Sequence, residues 1–331
     1  MTGPGMIDIV VGLAVLVAAA VALSVRDRLT SVVTFILLGG LLAVLWTAVR
    51  APDVALAEAA IGTGVTGALL VDAVADRRST RASSGRGRGR LLAWAAAALG
   101  GAGLVVVLVS AVLAADDSGG VPLTGAVDEA MGSAAVGHEI TAVLLDFRAY
   151  DTLLEVAVIL VAVVGAYALA SAIPSGANSA LSAASAVAEA PTSPQPPAQT
   201  LVDFLRMAAP VLLLLAAWLL FAGAYEPGGA FQGGAMLAGT AILAAGAGAA
   251  PALLDGFSGR ATVSIGPLAF LAAGGAGALY AGHWLHMPPG LEAPATVAVE
   301  AALAVSIGAG LATLFLTVRR RPRQIVGGDR S

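Results

Sequence analysis

Apolar residues along this chain gather in runs of roughly 20, the length a helix needs to cross a hydrocarbon core about 30 Å thick. Such runs lie near residues 6–25, 30–49, 52–74, 91–115, 152–173, 206–224, 229–249, 263–283 and 294–318. They predict an all-α, polytopic transmembrane helical bundle of about nine spans. The first run, from about Met6 to Val25, has no basic segment before it and no small-residue cleavage site, so a span is expected there and not a cleaved signal peptide. Two stretches break the pattern. Residues 76–90 are rich in Arg, Ser and Gly and predict a flexible linker, and residues 174–200 are rich in Ala, Ser and Pro and predict a disordered connector. The expected organisation is therefore a three-span module at 1–75, the linker 76–90, a two-span module at 91–173, the connector 174–200, a four-span module at 201–318 and a basic tail at 319–331.

Composition agrees with a membrane solvent. Of 331 residues, 58% are hydrophobic and only 11% charged, and the mean hydropathy is +0.91. With no cysteine there is no disulfide or thiolate metal site, and the three histidines, His138, His283 and His286, leave little for haem or zinc. No metal, redox cofactor or nucleic-acid partner is expected.

Charge placement gives an orientation. All 17 basic residues are arginines. With the N-terminus outside and the C-terminus inside, only Arg50 and Arg148 of them fall on the outer side, while Asp116, Asp117, Asp128, Glu129 and Glu139 gather in an outer loop. This is the arrangement expected of a multi-pass protein of the cytoplasmic (cell) membrane. The partial helical spacing over 132–150 suggests an interfacial segment in that loop.

An ionisable side chain inside a span costs on the order of 2.5–3.5 kcal/mol on insertion scales, so each one asks for a reason. In the string Ala51-Pro52-Asp53-Val54-Ala55-Leu56-Ala57-Glu58, Pro52 suits the first helical position and Asp53 suits the positive end of the helix. Glu58 lies roughly 9 Å further along the axis, past the reach of capping. It is the leading candidate for a carboxylate on a proton or cation path, with an interhelical hydrogen bond as the alternative. Asp146, Asp151 and Glu155 cluster at the entrance to the fifth span. There Thr152 and Glu155 match a capping box, Arg148 has Asp146 or Asp151 to pair with, and the acidic mouth would attract cations. Glu300, about six residues into the last run, has a similar depth to Glu58. Between the sixth and seventh runs, Pro227, Gly228, Gly229, Gly233 and Gly234 predict a tight turn whose second helix starts against another backbone. No Lys-Ser/Thr comes after those glycines, so the turn is not a phosphate loop. Trp284, between His283 and His286, suits an interfacial aromatic anchor. The absence of lysine means that a buried Lys/Glu proton relay cannot be built from this chain alone.

These strings resemble a known family. Arg26-Asp27-Arg28-Leu29 and Ala51-Pro52-Asp53-Val54-Ala55-Leu56-Ala57-Glu58-Ala59 are similar to the C-terminal region of the A subunit of Mrp-type sodium/proton antiporters, also found as the small D subunit of membrane-bound hydrogenases. The segment Leu144-Leu145-Asp146-Phe147-Arg148-Ala149-Tyr150-Asp151-Thr152-Leu153-Leu154-Glu155 resembles the next stretch of that region, which in the hydrogenases is the E subunit. Pro227-Gly228-Gly229-Ala230-Phe231-Gln232-Gly233-Gly234 with Gly282-His283 resembles the B subunit of the antiporters (MnhB). The family's usual histidine three residues before that proline is here Ala224. The resemblance implies a subunit of a membrane assembly that exchanges protons for sodium or another monovalent cation. Its partners would be large lysine-bearing antiporter-like subunits and small membrane subunits on other chains, with Glu58 and Asp53 along the ion path. A membrane-arm subunit of an energy-converting hydrogenase and a purely structural scaffold are the other readings.

Overall fold

The computed structural model of the chain describes residues 5–77, 99–103, 105–111, 113–114, 123–172, 199–249, 252–254 and 256–319, and every regular element among them is helical. Helix α1 (Met6–Ser24) is followed by α2 (Arg28–Ala48), which begins where the Asp27 carboxylate accepts the Thr30 backbone N–H at 2.8 Å. Pro52 then opens a continuous helix at the position where its missing N–H is least felt. That helix, α3, runs from Pro52–Ala57 through a π-helical segment, Glu58–Val65, into Thr66–Arg77.

Packing divides the chain into two units, Met1–Asp72 with Ala134–Ser331, and Ala73–Ser133. The smaller unit holds the apolar helix α4 (Leu99–Ala111) and the short α5 (Leu123–Ala130). In the larger unit α6 joins Glu139–Ala142 to the π-helical Val143–Phe147. It is followed by α7 (Ala149–Ala172), α8 (Gln199–Ala222), α9 (Ala230–Gly246), α10 (Gly256–Ala281) and α11 (Glu292–Arg319).

The fold is an all-α polytopic bundle. Among the described residues seven helices, α1, α2, α3, α7, α8, α10 and α11, are long and apolar enough to cross a membrane. Two of the expected spans differ. The one near 229–249 is realised as α9, only 17 residues long, and the one near 91–115 lies partly outside the described residues. Most of 76–90 and 174–200, and nearly all of the tail 319–331, lie outside them too.

Helix α11 is the packing axis of the larger unit: 67% of its membrane window is buried within the chain, against 6% for α1. Small residues let the backbones approach. A Cβ on Gly234 of α9 would stand 2.8 Å from the Ala304 carbonyl oxygen of α11, and one on Gly308 would stand 2.9 Å from the Gly234 carbonyl oxygen. Val156, Phe270, Leu303 and Ile307 fill the space between α7, α10 and α11. Inside α10, Pro267 has no N–H to give the carbonyl of Val263, four residues back. The buried Ser306 hydroxyl of α11 donates to that carbonyl instead, which satisfies the orphaned acceptor and ties the two helices together.

Candidate functional site

The glycine turn after α8 is the scaffold of the site. The Gly229 N–H returns to the Leu219 carbonyl at 2.8 Å, and Gly229, at φ 116°, adopts a conformation that side-chain-bearing residues rarely take. A Cβ on Gly228 would run into the Leu219 carbonyl, and one on Gly233 would stand 3.0 Å from that of Ala216. The turn is held this closely because these positions are glycines. Pro227 faces a neighbouring recess with Pro52 and Trp218.

Folding in this way aims two backbone donors at carboxylates on other helices. The Gly228 N–H donates to Asp53 Oδ1 at 3.1 Å, and the Ala230 N–H, at the start of α9, donates to the Glu300 carboxylate. Gln232, in the first turn of α9, donates from Nε2 to the Asp53 backbone carbonyl at 3.3 Å. Asp53 therefore does more than oppose the dipole of its own helix. Its side chain ties α3 to the α8–α9 turn across 175 residues of sequence.

His138, immediately before α6, completes the surroundings of Asp53. Its Nε2 lies 3.5 Å from Asp53 Oδ2, with both side chains 15% exposed, and its Nδ1 lies 3.2 Å from Thr141 Oγ1. The Thr141 hydroxyl donates to the Gly223 carbonyl, and the His138 N–H donates to the Ala224 carbonyl at 3.0 Å. The backbone on either side of the turn thus holds the imidazole in place. His138 carries no local signal in the sequence, because its partners come from α3 and the α8–α9 turn.

Above the turn lies a cavity of about 280 Å³, lined by Asp53, Thr141, Glu155, Gln232 and Glu300 among mostly apolar neighbours, with no basic residue among the described residues of the lining. Three of the carboxylates singled out in the sequence thus share one space. Glu300 is 4% exposed, and its Oε2 has no hydrogen-bond partner among the described residues.

The other candidates lie elsewhere. Glu58 does not line this cavity. It stands at the start of the π-helical segment with its carboxylate folded against Gly62 of the same helix. Asp151 pairs with Arg148 at 2.7 Å at an exposed edge. Asp146 accepts the Ala135 N–H at 2.8 Å, and burial, with the Glu292 carboxylate adding to it, pushes its carboxyl above the ordinary range against that hydrogen bond. The expected capping box at Thr152 and Glu155 does not form. Helix α7 already begins at Ala149, so Thr152 lies inside its first turn and donates to the Leu144 carbonyl at 2.7 Å. Trp284 stacks on Tyr150 with ring centroids 5.7 Å apart and packs over Gly274, where a Cβ would collide with its ring.

Residues 13–78 match the MbhD family model, described as the D subunit of MBH, and residues 200–318 match that of a domain related to the MnhB subunit of Na+/H+ antiporter. A solved structure titled "Structure of Mrp complex from Dietzia sp. DQ12-45-1b" is similar in fold, with a TM-score of 0.69 at 24% identity. The likeness covers 95% of this chain and 35% of that one, so this chain spans about a third of its length. No curated protein matches the chain.

Proposed function

The chain joins a segment matching the MbhD family to a domain related to the MnhB subunit of a Na+/H+ antiporter, and we propose that it serves as a subunit of a multisubunit monovalent cation/proton antiporter of the cell membrane. The observation that carries this reading is the cavity in which Asp53, Glu155 and Glu300 converge, with no arginine among the described residues that line it. Carboxylates such as Glu155 and Glu300 in so apolar a lining are costly when charged and unpaired, and are retained where protons or cations pass. Sites of this kind let the two ions compete for the same negative charge, which is the chemistry exchange requires.

In this reading Asp53, Glu155 and Glu300 form part of the ion path, Asp146 and Asp151 act as acidic groups at its mouth, and Glu58 is an outlying station on α3. The residues at 1–75 act as the module like the antiporter A subunit, those at 91–173 as the module like the hydrogenase E subunit and those at 201–318 as the MnhB-like module, with the N-terminus outside and the C-terminus inside. The chain has no lysine. The lysine-bearing relay of the exchanger therefore belongs to large partner subunits, with small membrane subunits completing the assembly.

The MbhD match over 13–78 supports a second reading, a membrane-arm subunit of an energy-converting hydrogenase-type complex. Iron–sulfur or nickel content in the co-purified assembly decides between the two. The exchanger reading is tested in vesicles carrying the whole assembly: Glu300→Gln at matched assembly lowers cation-dependent proton exchange. A purely structural scaffold leaves that exchange unaffected.

A further inference from the structure

The innermost wall of the cavity has the chemistry of a coordination site. Glu300 is 4% exposed, and of its two carboxylate oxygens Oε2 has no partner among the described residues, so the Ala230 N–H is taken by Oε1. A Cβ on Gly229 would stand 3.3 Å from Glu300 Oε1 and 3.8 Å from Gln232 Oε1, so both side chains bring an oxygen to the space over the Gly229 Cα. Gln232 is 8% exposed, and its Nε2 is already engaged by the Asp53 carbonyl at 3.3 Å. That engagement leaves its Oε1 as the atom presented toward Glu300. At φ 116°, with no side chain, Gly229 keeps the space open.

A bare pocket of water would solvate these oxygens without neutralising them. Asp53 already has the His138 imidazole 3.5 Å away and the Gly228 N–H, but among the described residues no arginine lines the cavity, so the charge on Glu155 and Glu300 is left to a bound cation or a proton. The donor set selects the class of cation. Carboxylate and amide oxygens suit a hard, oxygen-seeking ion, and among the described residues no imidazole or thioether lines the cavity to hold a softer one. One carboxylate with one neutral oxygen matches a single positive charge, and a cavity of about 280 Å³ has room for waters to complete the coordination shell.

We propose that Glu300 and Gln232 form a binding site for a partly dehydrated monovalent cation, held over Gly229 and exchanged there for a proton on the Glu300 carboxyl. Arrival of the cation at the carboxylate releases that proton to water, and its departure restores it, so charge balances at each step. The inference deepens the exchanger reading and rests on it, but its test does not require transport.

The test is proton release in weakly buffered detergent solution when NaCl, or in parallel KCl, is added to the purified whole assembly, with choline chloride as the reference. Wild type releases protons with at least one of the two salts, and Glu300→Gln releases one fewer per copy of this chain. Equal release by wild type and Glu300→Gln, or no release from wild type, overturns the site. Should Glu300→Gln fail to assemble, Gln232→Met serves in its place. Loss of one coordinating oxygen moves the salt concentration for half-maximal release up by about tenfold, and an unchanged midpoint overturns the site. Loss of release with vesicle exchange intact refutes the site alone. Normal proton release from an assembly that exchanges nothing refutes the exchanger reading and leaves the site standing.

Discussion

His138 Nε2 stands 3.5 Å from Asp53 Oδ2, while the Gly228 N–H holds the other oxygen of the same carboxylate at 3.1 Å. One side chain from α3 is thus gripped by a loop residue and by the glycine turn. The geometry makes His138 a positioning residue for Asp53.

Replacing that imidazole should loosen the carboxylate. His138→Leu removes the imidazole that stands 3.5 Å from Asp53 Oδ2, and a several-fold loss of exchange rate is expected from the loosened carboxylate. Cation-dependent proton exchange by the assembly is the measurement, with His138→Gln expected to retain more activity because its amide can still reach Asp53. Equal losses in the two variants would count against a positioning role.

The α9–α11 contact gives a prediction with its own control. Gly234→Ala places a methyl 2.8 Å from the Ala304 carbonyl oxygen, and such overpacking costs about 1–3 kcal/mol. Gly239→Ala, on the same helix, meets nothing within 4 Å. Thermal unfolding in detergent should show a lowered midpoint for Gly234→Ala and little change for Gly239→Ala.

Ser306→Ala leaves the Val263 carbonyl, already deprived of an intrahelical donor by Pro267, without a partner in a buried setting. A loss of about 1–3 kcal/mol is expected. Ser306→Thr keeps the hydroxyl and should recover part of that loss, the remainder being the crowding of its added methyl beside Gly266. The same unfolding measurement checks it.

Asp146 gives a pH dependence. Its carboxyl is held above the ordinary range by burial and by Glu292. The unfolded state therefore releases this proton at lower pH than the folded state does. The group's stabilising contribution is full below its ordinary value of 3.8 and is lost as pH rises through the raised folded value. Because the residue is partly open to water the effect is small. Asp146→Asn should flatten the acid end of the stability profile and raise the unfolding temperature at neutral pH, as thermal unfolding from pH 4 to 7 would show.

The sequence exposes the spans because burial in lipid demands length and apolarity, which any stretch such as 6–25 or 294–318 displays locally. It also marks Glu300, since an ionisable group at such depth stands out against its neighbours, and it places Asp53 at the positive end of its helix. It does not reveal their partners. The Gly228 N–H that meets Asp53 lies 175 residues away, and no pattern near 138 announces a histidine beside the carboxylate of α3. Thr152 matches a capping box by spacing alone. The hydroxyl goes elsewhere because the helix starts at Ala149, ahead of the Leu153 start that a Thr152 cap would imply. Glu58 has the right depth, but the π-helical turn beginning at that residue lays its carboxylate against Gly62 and out of the cavity, and nothing in its string of small residues shows this.

Cation-dependent proton exchange in vesicles carrying the whole assembly tests an ion path through the cavity over Gly229 most directly, with wild type, Asp53→Asn and Glu58→Gln compared at matched assembly. Passage through that cavity predicts that Asp53→Asn abolishes exchange while Glu58→Gln retains most of it. Full exchange by Asp53→Asn, or loss in Glu58→Gln alone, would contradict it.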